Sequence, residues 1–293
     1  MSRNAFIFSL LFCFLPISAH AQTPNCESLD EAAKNVAEHL LSQTKGYDCC
    51  TDTIASCLKA NPTCKRSEFI AKEICRLAAK GTKESEIKTL IEQRSKTMSP
   101  DAKVFSIEIK PEHIWGNPES KTILSVYLCG RCPYCSRHVP QLIKLLEQAS
   151  LKDKVAVNLK YFPIKSHDNS TPAALAIEAA AQMGQAWPYL TKSYENFDAF
   201  SLKQINVWSN EIGLDQEKFN AFMKDPAIRK NVADSKKEGL INGVTTTPTF
   251  FLNGRRIEGK FDAESIISMI QEDLAATSSN LSENSESESE NHN

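Results

Sequence analysis

The spacing of apolar residues first changes near residue 100. Before that point the period is helical. Leu29, Ala33, Val36, Leu40 and Leu41 line one side of a first helix, introduced by a capping box at Ser28-Leu29-Asp30-Glu31. A second helix is predicted over 51–60 and ends near Asn61-Pro62, because the residue before proline avoids the helical region. The third starts at Ser67, carries Ile70, Ile74, Leu77 and Ala78, and stops at Gly81. Residues 84–94 give a fourth, with Ile87, Leu90 and Ile91 as its stripe. Met98-Ser99-Pro100-Asp101 then interrupts the pattern. Strands are predicted over 104–109, 122–128 and 155–162, with a turn at Gly116-Asn117-Pro118 and a helix over 136–146 that Pro140 kinks. Helical spacing returns over 170–239, broken near Trp187-Pro188, Phe197 and Asp225-Pro226, which makes four or five helices. Residues 249–252 and 255–258 read as a hairpin through Asn253-Gly254, and a last helix runs from 262 to about 274.

Both ends depart from this globular pattern. Arg3, an apolar run over 5–15 and Ala19-His20-Ala21 fit an export signal cleaved after Ala21, which places the mature protein in the periplasm. The run is too short to span a bilayer. Residues 277–293 are Ser, Asn and Glu with almost no apolar side chain, and read as a disordered acidic tail. Between the ends lie a small all-α cysteine-rich unit over 22–98 and an α/β unit over 99–276. The chain has 293 residues with 34 Lys and Arg against 36 Asp and Glu, and no basic block, so nucleic acid is not expected as a partner.

Of the ten cysteines, Cys26, Cys49, Cys50, Cys57, Cys64 and Cys75 fall in the helical unit, whose core is meagre. In an oxidising compartment three structural disulfides would supply what that core lacks, with Cys49 and Cys50 bound to different partners. Six cysteines allow fifteen pairings, and spacing does not choose among them. A redox relay or a metal site remain the other readings of this group.

Cys132-Pro133-Tyr134-Cys135 lies between a predicted strand and a predicted helix, the setting in which C-x-x-C carries redox chemistry. At a helix N-terminus the first sulfur faces unpaired N–H groups, which lowers its pKa; the second is shielded by the helix. Cys132 would attack and Cys135 resolve, while Pro133 suits the first turn, and Pro133 and Tyr134 tune the pair. A structural disulfide or half of a zinc site are the competing readings. His138 and His167 receive no catalytic role, and no metal is expected. Cys129, three residues ahead of Cys132, is either a half-buried strand-end thiol or a third redox thiol.

These residues, together with Gly116-Asn117-Pro118, the strand at 122–128, and Gly243-Val244-Thr245-Thr246-Thr247-Pro248-Thr249-Phe250-Phe251 followed by Asn253-Gly254, resemble a DsbA-like thiol:disulfide oxidoreductase of the thioredoxin superfamily. The resemblance covers about 110–275. It implies a thioredoxin-like α/β fold with an inserted helical domain over about 168–240, a cis Pro248 packed against the active cysteines, and a Thr247 that offers backbone hydrogen bonds to an extended substrate. It also implies no cofactor, cysteine-containing exported proteins as substrates, and a membrane redox partner. One departure stands out, since the family often has a buried carboxylate six residues before the first cysteine and this chain has Val126. Disulfide formation is the expected direction. Isomerisation or reduction, and Cu(I) binding by Cys129, Cys132 and Cys135, are the alternatives.

Overall fold

The computed structural model describes residues 26–60 and 64–290, so the export signal and Asn61-Pro62 lie outside the described residues. The N-terminal part is four helices, α1 (Glu31–Gln43), α2 (Ile54–Ala60), α3 (Lys65–Ala79) and α4 (Glu84–Met98). The cap of α1 is Asp30, whose carboxylate accepts from Ala33 N at 2.8 Å. The expected cap, Ser28, sits instead in a 3-10 turn, Cys26–Ser28, that a disulfide ties to α3 through Cys75. Helix α2 begins three residues later than its pattern suggests, because the Thr53 hydroxyl accepts from Ser56 N at 3.3 Å and caps it there. Ile54, Ile70, Ile74, Ile87 and Ile91 make the small core of this part. Three disulfides close around it, Cys26–Cys75, Cys49–Cys64 and Cys50–Cys57, so the adjacent cysteines do go to different partners. Each is worth on the order of 2–4 kcal/mol.

The rest is built on a five-stranded sheet of β1 (Ile114–Gly116), β2 (Ile123–Leu128), β3 (Ala156–Tyr161), β4 (Thr249–Leu252) and β5 (Arg255–Arg256), in the order β1-β3-β2-β4-β5. Only β2 and β3 run parallel. Period two sorts their side chains: Leu124, Val126, Leu128, Val157, Leu159 and Tyr161 enter the main core, while Tyr127 joins Phe162, Val244 and Phe251 on the other face. Asn253 and Gly254 join β4 to β5 with φ of 49° and 77°, the left-handed pair a two-residue hairpin loop needs. Helix α5 (Pro133–Gln148) follows β2 and runs through Pro140. Between β3 and β4 come α6 (Ser170–Ala181), α7 (Ala186–Glu195), α8 (Leu202–Glu211), α9 (Gln216–Lys224) and α10 (Pro226–Ile241). Helix α11 (Ala263–Glu290) ends the described chain.

Three expectations need correction. Residues 104–109 do not form a strand: a single bridge joins Val104 to Arg255, because β5 is only two residues long. Side chains take up the remaining backbone groups, with Glu238 accepting from Glu108 N at 2.7 Å and Asn158 and Lys160 donating to Glu108 O at 3.0 and 3.1 Å. Trp187-Pro188 does not break a helix but lies in the first turn of α7, where a proline forfeits no helical hydrogen bond. The break falls earlier, at Gly184, with φ 73°. Helix α11 continues through 277–290, which were expected to be a disordered tail; no Gly or Pro lies between 263 and 290 to stop it.

The four N-terminal helices are fastened to α11 by buried charge. Arg94 and Glu272 are 2.7 Å apart with both side chains fully buried, and Tyr47 also donates to Glu272. Arg76 spans Glu73, Asp262 and Ser265 at 2.8, 2.9 and 2.7 Å. Helix α11 packs in turn on α5, the helix that Cys132-Pro133-Tyr134-Cys135 opens. Arg94→Ala would strand the Glu272 carboxylate in the interior, and is expected to cost about 3–5 kcal/mol in chemical denaturation. A loss below about 1 kcal/mol, typical of an exposed pair, would contradict this.

Candidate active site

Strand β2 ends at Leu128 and α5 starts at Pro133, so Cys129-Gly130-Arg131-Cys132 is the link between them. That link is held tightly. A Cβ on Gly130 would come within 3.0 Å of Ala173 Cβ and 3.1 Å of Ile177 Cδ1, so a larger residue would make α6 give way by a few tenths of an ångström. The Arg131 guanidinium sits 4.2 and 4.6 Å from the Phe197 and Phe200 rings and donates to Phe197 O at 2.6 Å. Cys132 is the N-cap of α5, in extended conformation, and Pro133 occupies the first helical position, where its missing N–H goes unneeded.

Cys132, Cys135 and Cys129 are buried free thiols, while Tyr134 is 59% exposed. The Thr247-Pro248 peptide is cis, in line with the resemblance, and Thr247 O accepts from Cys132 Sγ at 3.3 Å. Thus β2, α5 and the turn before β4 bring Cys129, Cys132, Cys135 and Thr247-Pro248 to one place. His138 stays on the exposed side of α5 and is not part of it.

The two sulfurs of the C-x-x-C pair are unlike. The Cys132 pKa is lowered to about 5, chiefly because the Cys135 thiol donates to it; burial opposes this, and Thr247 and the N–H groups of Cys135 and Tyr134 add to it. The Thr247 Oγ1 atom is buried and makes no hydrogen bond among the described residues. Cys135 is pushed well above the ordinary thiol range, first by burial and then by its bond to the Cys132 sulfur. One thiol is therefore primed to ionise and the other held protonated.

The structure adds Tyr194, which the sequence does not mark: on α7 it donates its hydroxyl to Cys129 O at 3.1 Å and reaches the Cys135 sulfur. His167, given no catalytic role from sequence, places Nδ1 3.4 Å from Cys129 Sγ. They are 65 and 38 residues from Cys129, and no local pattern marks either. Val126 is buried in the core, so no carboxylate stands at that position. Among the described residues no group of three or more His, Cys, Asp or Glu is placed to hold a metal ion.

A family model described as Thioredoxin (Thioredoxin_4) matches residues 108–272. Among curated proteins, the chain is 29% identical over 170 residues to the Na(+)/H(+) antiporter NhaA of Herminiimonas arsenicoxydans, covering 57% of this chain and 27% of that protein. It is 27% identical over 171 residues to NhaA 1 of Mycobacterium sp. (strain KMS), covering 57% and 28%. The chain thus spans about a quarter of the length of these relatives. Among solved structures, oxidised BdbD from Bacillus subtilis superposes with a TM-score of 0.52 at 15% identity, over 59% of this chain and 97% of that one. Wolbachia pipientis alpha-DsbA1 gives 0.51 at 17% identity, over 60% and 96%. Both show the same fold.

The unequal thiols have a consequence for stability. In the reduced protein the Cys132 thiolate stabilises the fold above the ordinary thiol value of about 8.5, and this is lost as pH falls toward about 5. Cys135 stays protonated in folded and unfolded chains below about pH 8.5 and contributes nothing there. The Tm of the reduced protein minus that of the protein oxidised at Cys132 and Cys135 is expected to fall between about pH 8 and pH 5. A difference that does not move with pH would contradict the thiolate assignment.

Proposed function

The chain belongs to the thioredoxin family that matches residues 108–272, and from that membership we propose that it is an exported, periplasmic thiol:disulfide oxidoreductase that donates disulfides to secreted proteins through Cys132 and Cys135. A substrate thiolate attacks Cys132 Sγ of the oxidised pair. The Cys132–Cys135 bond breaks, its electron pair goes to Cys135 Sγ, and a mixed disulfide forms. A second substrate thiolate then attacks the substrate sulfur of that bond and releases Cys132 as a thiolate. The reduced pair returns to the disulfide through a membrane redox partner. The antiporters' ion transport is not carried over, since the chain matches only about a quarter of their length.

The observation that carries this reading is the contrast between the two sulfurs. Cys132, lowered to about 5, is a good leaving group, and its stabilised thiolate favours the reduced form of the enzyme. That favours oxidation of the substrate. Thr247 lies against Cys132 through its carbonyl and precedes the cis Pro248, so an extended chain laid along this turn would meet the reacting sulfur. Tyr134, within the motif, is exposed, with Arg137 5.3 Å from its ring. The runner-up is the same site working as an isomerase or reductase.

The test is the equilibrium reduction potential of the Cys132 and Cys135 pair in a glutathione series. Disulfide donation predicts a value near about −120 mV, with Cys132→Ala abolishing the exchange. A value near about −270 mV would overturn the donor assignment in favour of a reductase.

A further inference from the structure

Cys132 is the common end of two overlapping pairs of cysteines three residues apart. On one side, Cys135 follows within the first turn of α5, with Ser136 N donating to Cys132 O at 3.0 Å. On the other, Cys129-Gly130-Arg131-Cys132 is a turn closed by Cys132 N donating to Cys129 O at 3.0 Å. Such a turn keeps its end Cα atoms within about 7 Å, close to the longest Cα separations that disulfides bridge, about 6.8 Å. The backbone thus draws a cysteine near Cys132 on either side.

Burial raises the Cys129 thiol above its ordinary value, partly offset by the N–H groups of Ile164 and Arg131 and by the Arg131 charge, so its ionisation calls for a base beside it. His167, partly exposed, places Nδ1 3.4 Å from the fully buried Cys129 Sγ, within reach of an S–H···N bond. The imidazole is therefore a proton acceptor set between a closed-off sulfur and solvent. Tyr194, bonded to Cys129 O, holds the same turn in place.

We propose that Cys129 is a second resolving thiol for Cys132, with His167 as its base, so that the site has two alternative oxidised states. The proposal rests on the reading of Cys132 as the sulfur that forms the mixed disulfide. When Cys132 is held in a mixed disulfide, Cys129 passes its proton to His167 Nδ1 and attacks Cys132 Sγ. The Cys129–Cys132 bond forms, the mixed disulfide breaks, and the partner sulfur leaves with the electron pair and takes up one proton. No further oxidant or reductant enters. Starting from the Cys132–Cys135 disulfide, the same attack releases Cys135 as the thiol.

The experiment uses the full-length protein carrying Cys135→Ala, reduced at Cys129 and Cys132 and treated with glutathione disulfide. Glutathione bound at Cys132 is expected to be lost, leaving a protein lighter than the reduced one by two hydrogens, in which tryptic cleavage after Arg131 leaves two peptides joined by a Cys129–Cys132 bond. Cys135→Ser should behave the same way, whereas Cys129→Ala/Cys135→Ala should keep the adduct. Adding His167→Gln to Cys135→Ala should slow closure by about tenfold or more; an unchanged closure rate overturns the role of His167. An adduct as stable in Cys135→Ala as in the double variant overturns the proposal. If the wild type also fails to close Cys132–Cys135, the proposed function itself falls; if it closes, only this inference does.

Discussion

The convergence of hydrogen-bond donors on one sulfur is the constraint on which the site depends. Cys132 is the N-cap of α5, and the Cys135 thiol, with the N–H groups of Cys135 and Tyr134 in the first turn, favours its thiolate. Burial alone would raise a thiol. In Cys132 the donors win, and in Cys135, one turn deeper and acting as donor, burial wins. Two chemically identical side chains are thereby shifted in opposite directions.

Much of the fold serves to hold those donors in position. Strand β2, central in the sheet and buried along most of its length, delivers the loop; Gly130 lets it settle on α6, and Arg131 pins it between Phe197 and Phe200. Strand β4 pairs with β2, which sets the Thr247-Pro248 turn against Cys132. Helix α11 packs on α5 and, through Glu272 and Asp262, binds the four N-terminal helices. A single buried carboxylate, Glu272, gathers Tyr47, Arg66 and Arg94 and so links that disulfide-bonded part to the helix behind the active pair.

What could be read from the sequence was local. Helical and strand periods placed most elements, Cys132-Pro133-Tyr134-Cys135 marked the site through its position between a strand and a helix, and Thr247-Pro248 followed from the resemblance. Residues 104–109 misled because their alternation was genuine while their partners were the side chains of Asn158, Lys160 and Glu238, which no local pattern announces. The disulfide partners, and the approach of His167 and Tyr194 to the cysteines, depend on how distant segments pack, and so became visible only in three dimensions.

The most direct test of the account is the titration of the Cys132 thiolate in the reduced protein, followed by its ultraviolet absorbance, with Cys132→Ser as the blank. Converging donors predict ionisation near pH 5. A midpoint near the ordinary thiol value of about 8.5 would mean that the donors do not act on this sulfur, and would contradict the account.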